Sequence, residues 1–200
     1  LKMQWVDGSF FPMFHKQKRY MLFYQEKEDG SNWGSNLSFI QLKNIEALLL
    51  LSKITKEKKY SIAAIKVGKW GMKKSDPRYS HPYAYYLEGM YALGKRDFVH
   101  NELKKNVLPN LKKGFIPYYP GFSFAYVSGS VQLGVLLSKF GFNREAKEIF
   151  NWAIKTQDCS MGGLFQYANQ DGSINSSIHS ELNSWGTKYF CELARNLKIC

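Results

Sequence analysis

The sequence predicts an all-α protein built from antiparallel helical hairpins, and three observations carry that prediction. Apolar residues recur at helical spacing along most of the chain. No stretch alternates apolar and polar residues convincingly enough for an amphipathic strand. Breaks at Thr55, Gly94 and Gly141 each separate one helical segment from a shorter, lysine-rich partner. With 200 residues and 23.2 kDa, the chain can bury a sizeable core without disulfide or metal staples. Its 44% apolar and 22% charged content excludes a disordered protein, and six prolines with 16 glycines exclude collagen-like and proline-rich classes.

Taken in order, the first predicted helix covers 36–54, where Leu37, Ile40, Leu48, Leu49 and Leu51 supply a broad apolar face. A second runs from Lys56 to about Lys69 after the break at Thr55. Residues 80–93 form the third, with Ser80 as N-cap and Pro82 in the first turn. Gly94 stops it, and a fourth helix spans 97–111, kinked or ended near Pro109. The fifth covers 123–140 and stops at Gly141, the sixth covers 143–156 with Asn143 as cap, and the last runs over 177–198.

The charge of +12 is the feature that most invites over-reading. Of the 28 basic residues only five are arginine, at positions 19, 78, 96, 144 and 195. Nucleic-acid readers favour arginine and gather their charge on one face. Here lysines are spread along the chain, with small knots at 16–19, 56–59 and 112–113, so a solvated lysine-rich surface is the plain reading and no specific nucleic-acid partner is expected. Cys159, Cys191 and Cys200 have neither CxxC nor Cys/His spacing, so no metal or cofactor is expected. No apolar run approaches the ~20 residues of a membrane span, and no signal peptide is evident, which predicts a cytoplasmic protein. Secretion stays open, because the chain begins with Leu1 rather than methionine.

Between the helix pairs a turn recurs. It reads glycine, then an aromatic or leucine, then further aromatics: Asp7-Gly8-Ser9-Phe10-Phe11-Pro12, Gly114-Phe115-Ile116-Pro117-Tyr118-Tyr119 and Gly162-Gly163-Leu164-Phe165-Gln166-Tyr167. Gln4 and Gln157 precede two of the three. The inter-hairpin spacings of 39 and 47 residues suit helical-hairpin repeats. This grammar resembles the (α/α) toroid families: six-hairpin glycosidases, polysaccharide lyases and uronate epimerases, and also terpene cyclases and prenyltransferases. The closing segment from Glu181 through Trp185 and Lys188 to Phe190 is similar to endings of toroid-like proteins from polysaccharide loci. A closed ring of that kind needs about six hairpins and this chain has three to four. The resemblance therefore implies a single domain over 1–200 that is an open arc or the C-terminal part of a larger toroid.

In such a ring the aromatic turns share one mouth with the N-termini of the inner helices. That mouth would collect Trp33 and Asn36, then Tyr83, Tyr118, Tyr119 and Tyr126, as a substrate-binding surface. Six of the twelve residues from Phe115 to Tyr126 are aromatic, and flat rings stack on sugars. The competing reading is that these rings fill seams between hairpins. Two stripes carry polar chemistry. His81, Tyr85 and Glu88 fall at i, i+4 and i+7 on one helix face, and Glu181, Trp185 and Lys188 repeat the spacing on the last helix. A histidine or tyrosine beside a carboxylate can transfer protons, so His81, Tyr85, Glu88 and Glu181 are the catalytic candidates. Trp185 and Lys188 join the binding set. Two carboxylates facing one cavity would serve a glycosidase. A lyase or epimerase would use His81 or a tyrosine as base, with Lys188 or Arg78 holding the substrate acid. The plainer alternatives are that His81 caps its helix and that Glu88 pairs with a neighbouring lysine.

The function expected from these readings is a carbohydrate-active protein that acts on or binds a polysaccharide or oligosaccharide, acidic ones included. The alternative is a non-catalytic helical-repeat scaffold whose aromatic seams are core. A third reading, an isoprenoid-cyclising enzyme, lacks the Asp-rich initiating motif.

Overall fold

The computed structural model describes residues 4, 6, 8–10, 13–15, 20–22, 41–72, 79–174 and 181–199. The fold is predominantly α-helical, with short strand pairs. It divides into two compact units. The first is Leu1–Ser75 with Tyr85–Arg96, and the second is Asp76–Ala84 with Asp97–Cys200.

In the first unit, β1 (Met13–His15) pairs antiparallel with β2 (Tyr20–Leu22). A 3₁₀ turn at Gln41–Lys43 leads into α1 (Asn44–Thr55), which packs against α2 (Lys58–Met72). The buried face of α2 is Ala63, Ala64, Val67, Gly68 and Gly71, a helical spacing of mostly small residues, and it meets a core of Leu42, Ile45 and Leu48. The break expected at Thr55 is present. Lys56 ends α1 in the left-handed region (φ 61°), and the Thr55 hydroxyl donates to the Leu51 carbonyl at 2.7 Å. Helix α3 (Ser80–Ala92) gives its first turn to the second unit and the remainder, with buried Leu87 and Met90, to the first.

The second unit departs most from the predicted elements. The single helix expected over 97–111 is instead α4 (Arg96–Glu102), a π-helical turn at Leu103–Val107 and a 3₁₀ turn at Leu108–Asn110. Pro109 explains this, because it lacks an N–H and its ring clashes with the carbonyl four residues back in a regular α-helix. Strands β3 (Phe124–Tyr126), β4 (Leu164–Phe165), β5 (Tyr167–Asn169) and β6 (Leu182–Asn183) form two antiparallel pairs, β3 with β5 and β4 with β6. Strands of two or three residues are too short to show a period, which is why β3 and β6 read as helix starts in the sequence.

Helix α5 (Val127–Lys139) is the axis of this unit, packed against α6 (Asn143–Ile154) and α7 (Ser184–Asn196). Every residue from Val127 to Leu137 is buried. Small residues let its neighbours close in: a Cβ on Gly129 would lie 2.7 Å from the Cβ of His81. The predicted caps fare unevenly. Ser80 opens α3 with its amide donating to the Tyr118 carbonyl (3.1 Å), and Asn143 is the first residue of α6 rather than its cap. Asn183 caps α7, its side-chain oxygen accepting the Gly186 amide at 2.9 Å.

Two of the three predicted turns share a glutamine-to-glycine hydrogen bond. Gln4 donates its side-chain amide to the Gly8 carbonyl (3.0 Å), and Gln157 does the same to Gly162 (3.0 Å). Gly8, Gly114 and Gly162 all have positive φ, and antiparallel bridges close the turns at Gln4–Phe10, Lys112–Phe115 and Gln157–Leu164.

Candidate functional site

The register of β3 on β5 sets the aromatic residues of the second unit. Phe124 faces Asn169 and Tyr126 faces Tyr167 across the pair, while the Tyr118 amide donates to the Phe124 carbonyl at 3.0 Å. Successive rings then touch: Phe122 on Phe124 (5.0 Å between centroids), Tyr118 on Phe124 (6.1 Å), and Tyr126 edge-on to Tyr167 (5.0 Å, 88°). Tyr79 adds to this bank through Tyr119 at 4.6 Å. Such edge-to-face and tilted contacts favour a rigid aromatic surface.

Tyr126 is the inner end of the bank. It is buried, its ring stacks on His81, and its hydroxyl accepts a hydrogen bond from the Asn183 side-chain amide at 3.2 Å. Burial, reinforced by Tyr167, pushes the Tyr126 hydroxyl up to about 12. Tyr118 and Tyr167 are raised for the same first reason, burial. These phenols stay protonated across the biological range.

At the outer end, Phe122 is 45% exposed and belongs both to the bank and to an open groove of about 790 Å³. Lys112, Lys113 and Lys155 line this groove, over buried Phe115. Asn169, Gln170 and Asp171 form its other wall. The Asp171 carboxylate is held below its ordinary range by the Ser173 side chain and amide (2.7 and 2.9 Å) and by the charge of Lys155. A smaller depression of about 250 Å³ shares Lys113 and Lys155 with the groove and is floored by Trp152, whose indole N–H donates to the Asn169 carbonyl at 3.1 Å.

The predicted site residues fall into separate settings. In the second unit, Tyr118, Tyr119 and Tyr126 meet in the bank as expected. His81 is 0% exposed under Tyr126, so it presents no surface for a ligand to touch. Tyr83 is also buried, and its hydroxyl donates to Glu102, with the Asn106 amide bridging both (2.8 and 3.3 Å). Glu181 is exposed, and its backbone carbonyl accepts the Gln166 amide at 2.8 Å. Trp185 is 49% exposed. Lys188 lies over the Tyr189 ring and pairs with Glu192 at 3.1 Å. Burial alone would raise Glu192, but the Lys188 and Lys139 ammonium groups hold it below its ordinary range.

Tyr85 and Glu88 belong to the first unit, where Tyr85 is buried with the Lys43 ammonium 5.7 Å from its ring centre and Glu88 is half-buried. Trp33, Asn36 and Arg78 lie outside the described residues. The groove lysines and Asp171 were not among the predicted site residues. The signal was present in the knot at 112–113 immediately before the Gly114-Phe115 turn, but Lys155 joins it only through the packing of α6. No described helix is long and apolar enough to cross a membrane. No family model matches the chain, and no curated protein matches it significantly.

Proposed function

We propose that this protein is carbohydrate-active and binds a polysaccharide or oligosaccharide along the groove of the second unit, with Phe122 and the aromatic bank as the stacking surface. The observation that supports this most is the continuity of the rings from Tyr126 to exposed Phe122 with an open groove whose far wall offers amide and carboxylate groups. A sugar ring presents one apolar face and a rim of hydroxyls, and this pairing of surfaces suits both. An arc or ring of helical hairpins remains the proposed arrangement, and the repeated Gln–Gly turn supports it. A cytoplasmic setting belongs to the same reading, since the free, exposed thiols of Cys159 and Cys191 suit a reducing compartment.

Titration of the protein with a panel of neutral and acidic oligosaccharides tests the proposal. Saturable binding that weakens by about 5- to 150-fold in Phe122→Ala is expected, the loss of one stacking ring being worth roughly 1–3 kcal/mol. A scaffold whose rings are only core would bind none of the panel.

A further inference from the structure

Lys112 and Phe115 exchange both backbone hydrogen bonds, at 2.9 and 3.1 Å, and close a two-residue turn. The two central residues, Lys113 (φ 55°) and Gly114 (φ 86°), are both left-handed. This is type I′ geometry, whose first central position favours asparagine, aspartate or glycine. Lysine fits it poorly because its Cβ crowds the following carbonyl. The turn is pinned in place: a Cβ on Gly114 would fall 2.1 Å from the Glu148 carbonyl oxygen on α6. So a lysine poorly suited to its backbone, as Lys56 and Lys198 also are, is shared with Lys155 by the groove and by the smaller depression, which Glu148 also lines. A strained backbone that persists where chemistry is displayed is a reason to look for a ligand. Among the described residues, no carboxylate lies within ion-pairing distance of the Lys112, Lys113 or Lys155 ammonium groups.

We propose that Lys112, Lys113 and Lys155 form an anion subsite that takes a carboxylate or sulfate group of the bound sugar, with Lys113 as the specificity-determining residue. The inference rests on the glycan reading and adds to it the chemical class of ligand. A nucleic-acid strand fits less well. No arginine lines the groove, so the bidentate fork that suits phosphate groups is missing. Lysine ammonium groups act as compact point charges, suited to an isolated acid group on each sugar.

The test compares hexagalacturonate, its neutral methyl ester and a single-stranded oligonucleotide as ligands for the full chain and for Lys113→Asn and Lys155→Gln. At low salt the acid is expected to bind at least about tenfold more tightly than the ester, as charge-assisted contacts require. Lys113→Asn, which suits the turn better than lysine, should keep the ester affinity and lose most of the acid preference. Lys155→Gln should do the same from a different element, so a folding defect in one variant cannot produce the pattern. Salt should weaken acid binding to the wild type more than to either variant. An unchanged acid-to-ester ratio in both variants overturns the subsite. Equal binding of acid and ester by the wild type overturns it while leaving the glycan reading intact. If neither sugar binds, both fall, and tighter lysine-dependent binding of the oligonucleotide replaces the acid sugar with nucleic acid.

Discussion

The imidazole of His81 lies flat on the ring of Tyr126, with centroids 4.4 Å apart and planes 16° from parallel. This contact joins the first turn of α3 to β3, and it exists because Gly129 on α5 has no side chain: a Cβ there would meet the His81 Cβ at 2.7 Å and its Cα at 2.8 Å. Gly129→Ala should therefore push His81 off the stack and destabilise the second unit by about 1–3 kcal/mol, the usual cost of overpacking. Thermal unfolding measures it, and a stability equal to wild type would mean that the approach of α3 to α5 relaxes freely.

Tyr126 links stability to alkaline pH. Its hydroxyl pKa in the fold is about 12 against an ordinary value of 10.0. Below pH 10 folded and unfolded states both hold the proton. Between pH 10 and 12 the unfolded chain releases it first, so stability falls as pH rises, by roughly 2–3 kcal/mol in total. Tyr118 and Tyr167 shift in the same direction and add to the slope. Urea unfolding from pH 8 to 12 should show this decline, and Tyr126→Phe should flatten it at a cost of about 1 kcal/mol for the lost Asn183 hydrogen bond.

Lys113 should be worth less to stability than its replacement. Lys113→Asn places a residue that tolerates the left-handed region at φ 55° and should stabilise the fold by about 0.5–1 kcal/mol in denaturant titration. A destabilised variant would show that the lysine side chain supports the turn itself.

The repeated turn depends on its glutamine. Gln157→Ala removes the 3.0 Å bond to the Gly162 carbonyl and should cost about 0.5–1 kcal/mol, with faster amide exchange confined to 158–163. The same exchange rates in variant and wild type would make the glutamine a bystander.

Much of this architecture was legible because it rests on long periodic signals. The breaks at Thr55 and Gly94 and the α5–α6 boundary at Gly141 follow from helical spacing and from residues that accept positive φ, whereas of the apolar face predicted for the first helix Leu48 is buried and Leu51 is exposed. The glutamine–glycine contact of the turn was readable because it is local in the sequence, whereas the bonds from Gln4 to the Ala63 carbonyl and between Gln41 and Phe10 were not. What failed was short or distant. Strands β3 and β6 carry too few residues to show alternation, and Pro109 predicted an interruption without specifying a π-helical turn. The i, i+4, i+7 stripe of His81, Tyr85 and Glu88 described a helix face correctly but could not reveal that His81 is sealed under Tyr126 and that α3 passes from one unit to the other. The groove depends on Lys155 and Asp171 reaching the turn at 112–115, a relationship that only the packing of α6 and β5 creates.

Hydrogen–deuterium exchange with and without a saturating acidic oligosaccharide locates a sugar bound in the groove beside Phe122. Slowed exchange in 112–124 and 169–171, with α1 and α2 unchanged, is expected. Protection confined to other segments, or no protection at any concentration, would contradict it.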